Sequence, residues 1–474
     1  MRTEYESRNN RATVLKQNVT RKIEEKNNMK IGVLFGAGAE IAYNMPSGMG
    51  FAANILFPDN DIANKSEENF DTYLGATAGF QKLTATDRKT ILKSMVKHNK
   101  KKIQEFFEKL DEIETYKPLR DRYVDNAAAN NEFNTDIPKT LKALTDFSEE
   151  TEVISFILTL YVSVTAEIHV QDFNDKLSIF KSWLPDKDVA KTNFDVLPSL
   201  SEKLVKNLYD KKNEDNTTVK LAKELFEKSL NYEGLLTPYY DNLFSDKDFS
   251  SSSFRKIASL LFIAQEYVKK SFNAKPDETY YNDIKQDGKN DWTVATTNYS
   301  NVEDYLGFGE KTENPIFYLN GNVNKYLNLK TYDIIDENEA KKEKSCVPLL
   351  LLQTTVKPFL AFEFIEMFTD AYKNFKKCDV IGVIGFGFNE DDGVINSMFR
   401  KLLKDNKTVV YFKYTGERNK ESKNNRDINS FPSQLKEFEK NLKIVPLFDD
   451  RKLQDGTTTW ISYLEKCAEK QHQN

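Results

Sequence analysis

The chain has 474 residues, 39% hydrophobic and 30% charged, long enough to bury a large core without help from disulfides or metals. Lys and Arg total 68 against 73 Asp and Glu, and the net charge of −5 argues against a dedicated nucleic-acid binder, which usually presents a basic face or domain. Three cysteines, Cys346, Cys378 and Cys467, lie far apart, and only three histidines are present, so neither a disulfide framework, a zinc ribbon nor histidine-based metal chemistry is expected.

Residues 1–28 are polar, with Leu15, Val19 and Ile23 at spacing four, and predict an amphipathic helix suited to an oligomer or intramolecular contact. Their charged start lacks the apolar segment of a signal peptide, which makes a cytoplasmic protein the expectation. Ile31-Gly-Val-Leu-Phe35 is a short apolar run that breaks into Gly36-Ala-Gly38, as a buried parallel strand does. A helix from Ile41 to Phe57, interrupted near Pro46, follows.

Residues 58–284 read as a mainly helical insertion without internal repeats. Ile103, Phe106, Phe107 and Leu110 recur at helical spacing, as do Phe254, Ile257, Leu261, Ala264 and Val268. Val153–Val164 predicts a buried helix, twelve residues long and too short for a bilayer that needs about 20.

Strand signals return at Trp292–Thr297, Ile316–Leu319, Val347–Leu352, Val380–Gly385, Val409–Tyr414 and Ile444–Leu447. Helical patterns at Phe362–Phe375 and Val394–Leu403 alternate with them, which implies βαβ units and one parallel sheet. The expected fold class is therefore α/β. A Rossmann-like parallel sheet spans 29–57 and 285–450, the helical block interrupts it, and a closing helix lies within 451–474.

The candidate site residues sit where strands end. Gly36-Ala37-Gly38 allows backbone N–H groups to approach a phosphate, with a helix start adding partial positive charge. The third glycine of a dehydrogenase fingerprint is absent because that position is Ile41, and the plain alternative is a tight turn without ligand. Thr296-Thr297-Asn298-Tyr299 ends another strand, where an Asn amide can hold a ribose hydroxyl or a water by donating and accepting at once. Asn320-Gly321 and Gly385-Phe-Gly387-Phe388 through Asp391-Asp392 end two more. Each alone is an ordinary turn; all four at one end of one sheet suggest a shared crevice. Glu40, Asp391 and Asp392 are the adjacent carboxylates, and each taken singly reads as a helix cap or surface group.

Together these segments resemble the sirtuin family, over about residues 29–57 and 291–416. Gly36-Ala-Gly-Ala-Glu40 with Met45-Pro46 is similar to the family's G-A-G-x-S loop and its apolar–Pro pair. Thr296-Thr-Asn-Tyr299 is similar to T-T-N-Y-D. Gln353-Thr-Thr-Val-Lys-Pro358 and Gly385-Phe-Gly-Phe388 with Asp391-Asp392 resemble later segments of sirtuin-like proteins of bacterial anti-phage defence. For that group the resemblance implies hydrolysis of NAD+ to nicotinamide and ADP-ribose, depleting NAD+ in an infected cell. It implies that Gly36, Ala37 and Gly38 cradle the pyrophosphate, and that Asn298 positions the nicotinamide ribose or the attacking water. Gly385 and Phe388 would line the adenosine side, with Pro46, Thr297, Gly321, Gly387 and Asp392 completing the NAD+ site. Homo-oligomers, a second defence protein or a phage trigger are the partners it implies, with no membrane and no metal.

Three departures stand out. Glu40 occupies a position where the family carries Ser or Thr, Ser300 follows T-T-N-Y in place of Asp, and Asn320-Gly321 aligns with the family's catalytic His–Gly pair. An amide takes up no proton near neutral pH, and losing positioned acid–base help costs about 10²–10⁴ in rate. Cleavage would then rest on orientation and electrostatics, with Glu40 or Asp391 as substitute base. The open alternatives are a protein that binds NAD+ or ADP-ribose without turnover as a sensor or scaffold, and an interaction protein working through its helices. The missing zinc-ligand cysteines argue against the protein-deacylase branch.

Overall fold

The computed structural model describes residues 29–46, 48–75, 78–84, 202–209, 216–229, 251–272, 279–307, 315–352, 361–389, 392–416 and 440–472, with isolated positions elsewhere. The helix expected in 1–28, the Gln353–Pro358 segment, Asp391 and, apart from Ile157, the Val153–Val164 run lie outside these residues. The chain divides into two compact units, one of residues up to 47, 268–351 and 355 onward, the other of 48–267 with 352–354.

Among the described residues the first unit is α/β and carries two sheets of nine strands in all. The strands are β1 Lys30–Phe35, β2 Asp291–Thr296, β3 Ile316–Tyr318, β4 Gly321–Asn328, β5 Ile334–Asp336, β6 Cys346–Leu350, β7 Val380–Ile384, β8 Val409–Tyr414 and β9 Leu442–Leu447. Six of them form a wholly parallel sheet in the order β3-β2-β1-β7-β8-β9. Numbered within this sheet the order is 3-2-1-4-5-6, that of doubly wound Rossmann-like folds, whose ligand crevice opens at the carboxyl ends where the winding reverses. Here the reversal falls between β1 and β7. Phe35 of β1 pairs with Thr296 on one side and Ile384 on the other, so the turns after these three strands emerge side by side.

The sheet's central strands are buried on both faces, which is why they read as apolar runs and not as alternating patterns. The helices described in this unit are α1 Tyr280–Gln286, α2 Glu303–Leu306, α3 Glu337–Glu343, α4 Phe362–Lys377, α5 Gly393–Lys404 and α6 Trp460–His472. Thr279 caps α1, its Oγ1 accepting from the Asn282 N–H at 3.2 Å. Helix α4 buries Phe364, Phe368, Ala371 and Phe375 at helical spacing, and α5 buries Ile395, Met398, Phe399, Leu402 and Leu403. On the core cluster's aromatic side, Trp460 of α6 meets Trp292 at 5.7 Å and Phe35 at 6.3 Å between ring centroids. The indole N–H groups of Trp460 and Trp292 donate to Asp283 and Asp287 of the α1 segment at 2.8 Å each, satisfying polar atoms that burial would otherwise strand.

One expectation is corrected. The apolar run at Val347 does not join the parallel sheet; β6 pairs antiparallel with β4 in a separate three-stranded sheet, β5-β4-β6. Burial in β4 breaks the period of two, and its register shifts between Gly321 and Tyr326, so the strand carries no alternating signature. Helix α3 buries only Ala340 and is otherwise charged, leaving no apolar stripe to read.

The elements described in the second unit are helical: Gly48–Leu56, Asn60–Leu74, Glu202–Tyr209, Thr217–Ser229 and Ser252–Ser271, the last running past Tyr267. Phe254, Ile257, Leu261, Ala264 and Val268 are all buried along the long helix, as their spacing predicts, and so are Ile103 and Phe106. Among the described residues no helix is long and apolar enough to cross a membrane.

Candidate functional site

β1 ends in a turn that winds at once into a 3-10 helix, Ala37–Tyr43. The turn is tight because the β7 turn lies against it. A Cβ on Gly36 would stand 2.5 Å from the Gly385 carbonyl oxygen, and one on Gly385 would stand 2.3 Å from the Ala39 nitrogen. Gly385 also has φ +69°, a conformation that costs L residues about 1–2 kcal/mol. Gly36 N–H donates to Ile384 O at 2.9 Å and Gly38 N–H to Gly385 O at 3.0 Å. Of the Gly36-Ala37-Gly38 segment expected to cradle a pyrophosphate, the two glycine amides are thus engaged in joining two turns of the sheet. Among the described residues, the N–H groups of Ala37, Gly387 and Phe388 have no such backbone acceptor.

The β2 turn closes the other flank. Thr297 N–H donates to Phe35 O at 2.9 Å, which continues the β1–β2 pairing. Asn298 is buried, and its Nδ2 donates to Gly36 O at 3.0 Å, bridging positions 262 residues apart in sequence. Asn320 sits after β3, also buried, with Nδ2 donating to Thr297 O at 3.0 Å. That bond fixes the amide's orientation, since a flipped side chain would set two acceptors against each other. Asn320 Oδ1 is then left buried with no hydrogen-bond partner among the described residues. Gly321 beside it has φ +89° and passes so close to β6 that a Cβ would meet Leu349 O at 1.9 Å.

Glu40 is the charged centre of this edge. It lies on the 3-10 helix and is 2% exposed, which corrects the expectation of a cap or surface carboxylate. Tyr281 of α1 donates to its Oε1 at 2.7 Å, and Ser300 of the β2 turn donates to the same oxygen. Burial pushes the carboxyl up to about 7, while hydrogen bonds from Ser300, Tyr281 and Asn298 pull the other way. The same burial raises Tyr281 well above the phenol range, and pushes Tyr43 up to about 12. Neighbouring Gly38 and Ala42 are exposed and Ile41 is 56% exposed, so one flank of this turn faces solvent.

Other expected residues do different work. Phe388, expected to line a ligand, is buried with its ring against Phe386, Phe399 and Tyr411 at 5.0, 5.3 and 5.8 Å. Asp392 is the N-cap residue of α5 but is buried and makes no side-chain capping bond. Pro46 falls between the 3-10 helix and helix Gly48–Leu56, where the interruption was expected. Gly387 is exposed. Tyr281 carried no sequence signal, because an isolated Tyr-Tyr pair looks like core. Ser300 stood out only as a departure from a motif.

No group of three or more His, Cys, Asp or Glu among the described residues is placed to hold a metal. No family model matches the chain, and no curated protein sequence matches it.

Proposed function

We propose that the chain is a sirtuin-like protein that binds NAD+ at the carboxyl edge of its parallel sheet and hydrolyses it to nicotinamide and ADP-ribose, in the manner of anti-phage defence by NAD+ depletion. One observation carries the reading. Turns that follow β1, β2 and β7 are hydrogen bonded into one edge at the point where the winding reverses, through Asn298 to Gly36 and Gly38 to Gly385.

Two departures from the resembled pattern support it as a pair. The pattern sets a hydroxyl after the glycine turn and a carboxylate after T-T-N-Y. Here Glu40 and Ser300 stand the other way round, and the two side chains are hydrogen bonded to each other. The amides of Ala37, Gly387 and Phe388, which have no backbone acceptor among the described residues, would donate to a pyrophosphate in place of the Gly36 and Gly38 amides that the sheet itself uses. Buried Asn320 Oδ1 would accept from a hydroxyl-bearing group such as ribose; an unmet buried acceptor of this kind costs about 1–3 kcal/mol.

The second reading, binding without turnover, is favoured by Asn320 itself, which supplies no proton acceptor. Incubating the purified chain with NAD+, alone and with lysate of phage-infected cells, separates them. Cleavage predicts nicotinamide and ADP-ribose in equal amounts, abolished by Asn298→Ala. Calorimetric NAD+ binding with no product supports the second reading, and neither binding nor product overturns both.

A further inference from the structure

Hydrolysis of an N-ribosyl bond needs an acceptor for the water's proton, and the amide at position 320 is not one. On the β1–β2 side of this edge the other buried polar side chains, Thr297, Asn298, Asn320, Ser300 and Tyr281, are hydroxyls, amides or a phenol, and Glu40 is the carboxyl there; buried Asp392 lies on the β7 side, at the start of α5. The setting of Glu40 differs from that of a carboxyl used only as a structural tie. Ser300 and Tyr281 both donate to Oε1, so one oxygen is anchored twice, and Asn298 is the third hydrogen-bonding side chain beside the carboxyl. Three segments are involved: the 3-10 helix after β1, the turn after β2, and α1. The titratable groups that feel its charge are Tyr43 on its own helix, Tyr281 on α1 and Tyr318 on β3. Burial raises all three phenols, so they stay neutral around pH 7, and among the described residues no cation pairs with the carboxylate.

Resting on the hydrolytic reading above, we propose that Glu40 is the proton acceptor of the reaction, held through Oε1 by Ser300 and Tyr281 so that Oε2 takes the proton of the attacking water. The bond between C1′ of the ribose and the nicotinamide nitrogen breaks, and its electron pair returns to the ring, leaving neutral nicotinamide. The water oxygen bonds to C1′, and the water's proton passes to Glu40 and then to bulk solvent. The products are ADP-ribose, nicotinamide and one proton. A carboxyl titrating near neutrality suits this task, because both its forms are populated at working pH.

The test is the pH dependence of nicotinamide release by the full chain. The rate should rise as pH increases through about 7, where the group ionises. Ser300→Ala and Tyr281→Phe each remove a donor to the ionised form, so each should move that limb to higher pH. Glu40→Gln keeps the shape and should lose about 10²–10⁴ in rate, with Glu40→Asp in between. Thermal melts of each variant, with and without NAD+, check that folding and binding persist. A limb that Ser300→Ala and Tyr281→Phe leave in place, or full turnover by Glu40→Gln, overturns the assignment while leaving NAD+ hydrolysis standing. Absence of turnover at every pH overturns the hydrolytic reading itself, and this role with it.

Discussion

The two flanks of β1 close the same edge by different means. Toward β2 side chains add to the backbone bond from Thr297 to Phe35: Asn298 reaches Gly36, Asn320 reaches Thr297, and Ser300 and Tyr281 converge on Glu40. Toward β7 the closure is made of backbone, with Gly36, Gly38 and Gly385 so close that no Cβ fits at 36 or 385. The first flank can change charge and exchange partners, whereas the second can do neither. Chemistry is therefore sought on the β2 side, and rigidity on the β7 side.

This contrast is broken most easily at its tight side. Gly385→Ala adds a left-handed alanine and an overlap with Ala39, and should cost roughly 3 kcal/mol or more in urea unfolding. Tolerance of that change would mean the turns are not in contact. The β2 flank should show itself through pH. Glu40 has a folded pKa of about 7 against a reference of 4.5, so its stabilising contribution is fully present below the lower value and is lost as pH rises through the upper one. The loss totals roughly 3 kcal/mol, and Glu40→Gln should flatten that part of the stability–pH curve. Asn298→Ala removes the buried hydrogen bond to Gly36 O together with the longer one to Tyr281, and should cost about 1–2 kcal/mol. The smallest effect is expected at Gly387→Ala, where the added methyl meets only the Asn389 side chain; a change beyond about 0.5 kcal/mol would show that this glycine too is constrained.

Much of the fold was legible because central parallel strands announce themselves. Ile31–Phe35, Trp292–Thr297, Ile316–Leu319, Val380–Gly385 and Val409–Tyr414 are short apolar runs ending at glycine, asparagine or threonine, and each is matched by a strand ending within a residue of the expected place. The small antiparallel sheet was not legible: β4 has no alternation and α3 has no stripe, since both depend on contacts distant in sequence. At the candidate site, position was readable and role was less so. Glu40 looks like any acidic residue near a helix start; its meaning comes from Tyr281, 241 residues away, and from burial that no local pattern encodes. Likewise Gly36 and Gly38 signal a close approach, but the sequence does not say that Gly385 is what approaches.

The NAD+ assignment is tested most directly by calorimetric titration of the purified chain with NAD+, paired with a melt at saturating ligand. The expected result is one dinucleotide per chain, with roughly 2.7 kcal/mol of added stability at about 100 times the dissociation constant, and weaker binding in Asn320→Ala. No heat and an unshifted melt at millimolar NAD+ would contradict it.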